Sequence, residues 1–288
     1  MNWGEQVVLG LLLGGVYVAV GLGFSLVWGV LNIVNLAYGA MVMIGGYVTW
    51  LLFTHTGIDP FLGIPVNVVV LFAIGYALQY VVVNRVVRAP FLYTFLITFG
   101  LDLVIVNALL LIFKPDFRSV TTWYSGAALS VGPILVPYIR LWSLLVAWAL
   151  AAVMWWILNR TRTGDAIQAV GSDRDAAQLV GVSLSRTYAL TFGLGAACAG
   201  VAGALIATYQ AITPTAGEPY TLQAFVVVIL GGLGRVSATV VGGMLFGLVQ
   251  VLAQSAPHLG AGYQNAIAFG VLVLVLLLRP QGLLGRAV

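Results

Sequence analysis

The chain has 288 residues, 61% hydrophobic and 7% charged, with a formal net charge of +4. A soluble domain carries about 25% charged residues, so this composition excludes a soluble globular protein and specifies a polytopic membrane protein. The positive balance is no nucleic-acid footprint, because the arginines stand at the ends of apolar segments, where they set topology.

The expected fold is all-α: one transmembrane domain over residues 1–288, a helical bundle of about nine segments (eight to ten) with short, broken or re-entrant helices. Cys198 is the one cysteine, which excludes an internal disulfide and a cysteine metal cluster. It lies in an apolar run and reads as a packing residue. Lys114, the single lysine, follows Phe113, so no phosphate-binding GxxxxGK[ST] loop is present. Any ATP energy must then enter through another subunit.

The opening MNWGEQ has no basic residue, and the apolar run after it is longer than a signal-peptide core, so the first helix is expected to stay in the mature protein. That span runs roughly from Gln6 to Val30, with Gly10 and Gly14 as a GxxxG contact pair. LNIVNLAYGAMVMIGG, residues 31–46, places Asn32, Asn35, Tyr38 and three glycines in apolar surroundings. It reads as a helix break facing a cavity, since irregular polar backbone survives at membrane depth only beside protein or water. An ordinary turn between two helices is the alternative. A second span ends near Phe53, and residues 55–60 form an outer loop.

The third span covers about Phe61 to Val83 and the fourth about Pro90 to Phe113. Asp102 lies inside the fourth, in FGLDLVIVN. A carboxylate at that depth is costly and marks a functional-site hypothesis. It either faces the pathway and meets a substrate ammonium, or bonds to Asn107 or a neighbouring helix as structural glue. Lys114 to Arg140 reads as an outer loop, with a short interfacial helix holding Trp123 and Tyr124. The fifth span, about Leu141 to Leu158, leads into the one long polar stretch, NRTRTGDAIQAVGSDRDAAQLVGVSLSR, at about 159–187.

A sixth span follows from about Thr187 to Tyr209, with a small-residue face suited to close packing. Residues 210–220 are read as an outer loop. LQAFVVVILGG is too short to span comfortably. The last spans run from about Ser237 to Gln254 and from about Gln264 to Leu278. This arrangement places Arg85, Arg88, Arg160, Arg162, Arg174, Arg186, Arg235, Arg279 and Arg286 inside, and Lys114, Arg118 and Arg140 outside. The N-terminus is then outside and the C-terminus cytoplasmic. GVLNIVNLAYGAMVMIGG and GGLGRVSATVVGGMLFG both set a polar, Gly-rich break before a small-residue helix, as duplicated transporter halves do. Any Gly-rich membrane protein also offers such matches.

In the polar loop, Ser172 stands three residues before Asp175, a capping-box spacing, and Asp173 and Asp175 suit the positive end of a helix dipole. The expected helix runs from Asp173 to about Val180 and stops at Gly181, with Ala176, Ala177, Leu179 and Val180 giving a small apolar surface. Such a surface fits a partner's groove. A solvated connector is the plainer reading, but it has no need of a capped helix with an apolar face.

Asp175-Ala176-Ala177 followed by Gly181 resembles the EAA-x3-G cytoplasmic loop of ABC importer permeases, with Asp175 in place of the usual Glu. RTRTGDAIQAVGSDRDAAQLVGVSLSR, AFVVVILGGLGRVSATVVGGMLFGLVQ, RPQGLLG and GLLLGGVYVAVGLGFSLVWGVLNIVNLAYGAMVMIGGYV are similar to LivH-type permeases of branched-chain amino acid importers. The resemblance covers nearly the whole chain. It implies a permease half paired with a LivM-like subunit, two ABC ATPase subunits that carry ATP and Mg, a periplasmic substrate-binding protein, and a bacterial-type inner membrane. It also implies that Ser172, Asp173, Asp175, Ala176, Ala177, Leu179 and Gly181 couple to the ATPase. Relatives for urea and short amides belong to the same family.

Expected pathway residues are Asn32, Asn35, Tyr38, Asp102, Gly231, Gly232 and Gly234, and no covalent chemistry, cofactor or metal is expected in this chain. An ATP-independent channel or ion-coupled carrier would show several intramembrane ionisable groups, and only Asp102 qualifies. A membrane enzyme would have to use His55 and His258, which lie in outer loops far apart in sequence without an acidic cluster.

Overall fold

The computed structural model describes residues 3–87, 90–131, 134–255, 264–279 and 281–284. It is an all-α bundle with one small hairpin. Helix α1 (Trp3–Leu31) is followed by α2 (Tyr38–Thr56), α3 (Ile64–Val81), a 3-10 turn at Val83–Arg85, and α4 (Phe91–Phe113). Strands β1 (Ala128–Val131) and β2 (Ile134–Pro137) then pair antiparallel. Next come α5 (Tyr138–Arg160), α6 (Arg162–Ser172), α7 (Arg174–Leu179), α8 (Leu184–Tyr209), α9 (Glu218–Gly231), α10 (Val236–Gln254) and α11 (Gln264–Leu278). Among the described residues α1, α4, α5, α8, α10, and α3 with its 3-10 turn, are long and apolar enough to cross a membrane. α9 is a shorter apolar helix.

Local chemistry sets the helix ends. Asn32 stops α1 by entering the left-handed region at φ 54°, a conformation Asn tolerates better than most residues. Its amide still donates to the Trp28 carbonyl at 2.9 Å. Pro65 and Pro219 occupy the first turns of α3 and α9, where the missing N–H costs nothing.

Helices α1 and α8 form the buried centre. α1 lies against α10 and α8, and α8 also carries α2 and α3. The expected GxxxG contact is present: a methyl group on Gly10 would lie 2.9 Å from Leu248 Cα, and one on Gly14 2.8 Å from Met244 Cα. The small-residue face of α8 packs closely as expected, with Gly203 directly over the Val42 carbonyl of α2. Cys198 is a buried packing residue there. The outward sides of α3, α4 and α5 are apolar and exposed.

Contacts between chain-distant residues define two ends. At one end Arg174 meets Leu31, Asn84 meets Ser185, and Arg235 meets Leu284. Arg85, Arg160, Arg162, Arg186 and Arg279 belong to the helix ends gathered there. At the other end Asp59 meets Tyr124, Arg118 pairs with Ile212, and Ser255 meets Gln6. Lys114 and Arg140 belong to this second end. Arg88, Arg286 and His258 lie outside the described residues.

Three expectations need correction. The break expected over residues 31–46 is confined to residues 32–37, and Gly39, Gly45 and Gly46 are helical, because α8 and the start of α9 offer them close packing partners. Trp123 and Tyr124 sit in a turn before the β1–β2 hairpin, not on an interfacial helix, since Ser125 and Asp59 satisfy that segment's polar groups without one. The polar loop holds two helices rather than one, and the cap of the second is Asp173. Its carboxylate accepts from the amides of Asp175 and Ala176 at 2.9 and 3.0 Å, whereas Ser172 is the last residue of α6.

Candidate functional site

Two helices begin inside the bundle and meet at their N-termini. After α1, residues 32–37 turn back among the helices, and the Tyr38 ring packs edge-on to Phe24 at 5.6 Å. Its hydroxyl lies against Gly23, well before α1 ends. The Gly39 amide donates to Thr221 Oγ1 at 2.8 Å, and Thr221 Oγ1 donates to the Leu36 carbonyl at 3.3 Å. A methyl group on Gly39 would lie 2.1 Å from the Gly217 carbonyl oxygen, so only glycine permits this approach. α2 leaves the junction toward the hairpin end and α9 toward the arginine-rich end. Their first turns thus bring the positive ends of two helix dipoles together.

Side chains around this junction are polar without being saturated. Asn35 is buried, with Nδ2 only 4.0 Å from Met41 Sδ and Oδ1 without a partner. Gln223 Oε1 on α9 also lacks one among the described residues. Thr98 on α4 donates to the Val34 carbonyl at 3.0 Å, tying α4 to the break. Asp102, one turn further along α4, is half-buried and near enough to Glu218 for the two carboxylates to interact. Asn107 gives its amide to Leu103 O at 2.7 Å and is not the partner of Asp102.

The structure brings Asn35, Tyr38 and Asp102 toward one region and leaves others apart. Asn32 is exposed at the arginine-rich end. Gly231, Gly232 and Gly234 form the tight α9–α10 turn at that same end, with Gly234 against Gly29. Tyr38 is fully buried, so its ring is a packing element. Sequence reading missed Thr98, Thr221, Glu218 and Gln223. Glu218 was expected in an outer loop, but Pro219 directly after it signals a helix start.

The second part of the site is the polar loop. Thr161 Oγ1 caps α6 by accepting from Gly164 N at 3.1 Å. The apolar face of α6, Ile167 and Val170, is buried on the bundle. α7 projects beyond it, with Ala177 buried and Leu179 and Val180 exposed at 88% and 80%. Gly181 ends the segment at φ 88°. Beside it a cleft of about 340 Å³ is lined by residues that include Arg162, Arg186, Gly181 and Leu190. Arg174 Nη2 reaches back to the Leu31 carbonyl at 2.6 Å.

The chain matches the family described as "Branched-chain amino acid transport system / permease component" over residues 6–276. It is 28% identical to the high-affinity branched-chain amino acid transport system permease protein BraD of Pseudomonas aeruginosa, covering 98% of this chain and 95% of that protein. It is 29% identical to LivH of Escherichia coli K12, with the same coverage. It is 27% identical to a probable LivH of Methanocaldococcus jannaschii, over 98% of this chain and 93% of the relative. No solved structure matches it.

Proposed function

Because the chain belongs to the family of branched-chain amino acid transport system permease components, we propose that it forms one half of the transmembrane pore of an ATP-driven importer. The solute is a small polar molecule: branched-chain or other hydrophobic amino acids first, urea or a short amide second. The other half is a LivM-like permease. Two ABC ATPase subunits bind below, and a periplasmic binding protein delivers the solute. The protein sits in the inner membrane with its arginine-rich end in the cytoplasm, as the positive-inside rule requires.

One observation carries this reading: the end of α7 presents Leu179, and Val180 just after it, to solvent while Arg174 at its start grips the end of α1. Two large apolar side chains at the tip of a polar loop fit a partner's groove. Arg162 and Arg186 beside them suit acidic residues on its rim. ATP-driven closure of the ATPases would displace α7. Arg174 would pass that displacement to Leu31 and the break at residues 32–37, which opens directly onto the α2–α9 junction. The two helix N-termini there favour a carboxylate, and Asp102 and Glu218 favour an ammonium. Together they suit a zwitterion.

The test is co-purification with the partners encoded beside it, reconstitution, and ATPase measurement with the binding protein over a solute panel. One solute stimulating hydrolysis and accumulating in vesicles supports the proposal and identifies the substrate. Solute movement by the purified chain without any ATPase would replace it with a channel or carrier.

A further inference from the structure

At the end of the bundle opposite the arginine-rich one, aromatic side chains from three parts of the sequence surround one carboxylate. Asp59 and Phe61 precede α3, Trp123 and Tyr124 precede the hairpin, and Tyr138 and Trp142 open α5. They line a cleft of about 600 Å³. The Phe61 centroid is 6.3 Å from that of Tyr124 and 6.5 Å from that of Trp142, and Trp123 meets Tyr124 edge-on at 5.3 Å. Asp59 is fixed at the wall: Oδ1 accepts from the Phe61 amide at 2.9 Å, and Oδ2 accepts from the Tyr124 hydroxyl at 2.6 Å. A carboxylate has about four acceptor positions, so this one keeps capacity for a ligand. Burial first, and the bond to Asp59 second, hold the Tyr124 phenol above its ordinary range. It therefore stays a donor to the Asp59 carboxylate.

Aromatic faces around an anion attract an alkylammonium group. What lies beside the cleft selects among ammonium compounds. Leu62, Val66 and Val69, before and along α3, are exposed. So are Trp142, Leu145 and Trp148 along α5. These two stripes run from the cleft down the outside of the bundle, where acyl chains lie. Trp123 is 93% exposed, at the level where Trp and Tyr mark the membrane–water interface. We propose that this cleft is a lipid site that takes the ammonium headgroup of a zwitterionic phospholipid. Asp59 is its counter-ion, the aromatic side chains are its cage, and the α3 and α5 stripes are the bed for its acyl chains. The assignment is independent of the transported solute.

The test uses the full transporter complex in nanodiscs holding phosphatidylethanolamine and phosphatidylglycerol with identical acyl chains, and native mass spectrometry of the lipids it retains. The expected result is preferential retention of phosphatidylethanolamine. Asp59→Asn removes the charge while keeping hydrogen-bonding groups for Phe61 and Tyr124, and should lower the preference about tenfold, and Trp123→Ala about fivefold. Trp123 is a surface ring, so its replacement leaves the fold intact. Equal retention of the two lipids by the unaltered complex overturns the proposal, as does an unchanged preference in Trp123→Ala. Release of the bound lipid by millimolar free ethanolamine also overturns it, because the ammonium alone would then be the ligand.

Discussion

Arg174 donates a 2.6 Å hydrogen bond from Nη2 to the carbonyl oxygen of Leu31, the last residue of α1. The same guanidinium lies 5.9 Å from the Tyr188 ring on α8. A helix leaves its last carbonyls without intrahelical partners, and a cation there also complements the dipole. One side chain therefore joins α7 to two buried helices, directly before the break at Asn32.

Arg174→Ala should lower stability by about 1.5–3 kcal/mol, the scale for a hydrogen bond to a charged group. If the link transmits motion, solute taken up per ATP hydrolysed in proteoliposomes should fall as well, by about tenfold on the same scale. Uptake and hydrolysis declining in proportion would sink the transmitting role.

Leu179 is exposed, so Leu179→Asp should leave Tm unchanged while the ATPase no longer co-purifies. Retained ATPase in a pull-down would remove α7 from the docking surface.

Gly181 adopts φ 88° with open space around it. Gly181→Ala should therefore cost only the left-handed backbone penalty, about 1–2 kcal/mol. Gly181→Trp carries a similar backbone cost and adds bulk at the proposed docking face. A further loss of stimulated ATPase activity beyond the alanine variant measures that bulk. Identical activities for the two variants would show that nothing docks there.

Gly39→Ala places a methyl group 2.1 Å from the Gly217 carbonyl and 2.6 Å from Thr221 Oγ1. The α2–α9 junction must separate to admit it, and overpacking of this kind costs about 1–3 kcal/mol. A thermal melt checks this. A Tm equal to the parent's would mean that the two helices are not in contact in the membrane.

Asp102 makes no hydrogen bond or ion pair among the described residues, and Asn107 is turned to Leu103. Asp102→Asn should therefore keep Tm and lower uptake of a cationic or zwitterionic solute while sparing a neutral one. A lowered Tm with normal uptake would make Asp102 structural glue.

Much of the architecture was legible because bilayer burial imposes strong, local demands. An apolar stretch long enough to span announces itself, and arginines mark one end of it. The spans at Trp3–Leu31, Phe91–Phe113 and Val236–Gln254 lie close to where hydropathy puts them. The Gly10–Gly14 contact was readable for the same reason, since small residues at helical spacing leave room for a backbone. The short helix of the polar loop was readable from Asp173, Asp175 and Gly181, although the cap belonged to Asp173 and not to Ser172.

What the sequence could not give is which distant residues meet. Glu218 looked like an outer-loop residue because nothing local says that Gly217 is pressed against Gly39 from across the bundle. The β1–β2 hairpin was missed because a short apolar run next to prolines carries no clear period. A polytopic helical protein, six of its expected spans, an arginine-marked end and a capped loop helix are readable from the chain alone, because hydrophobicity, charge and capping act over neighbouring residues. That α2 and α9 start face to face inside the bundle, that Arg174 holds the end of α1, and that Asp59 sits within an aromatic cleft are settled in three dimensions. Those pairings join residues far apart in the chain, and steric fit between packed helices selects them.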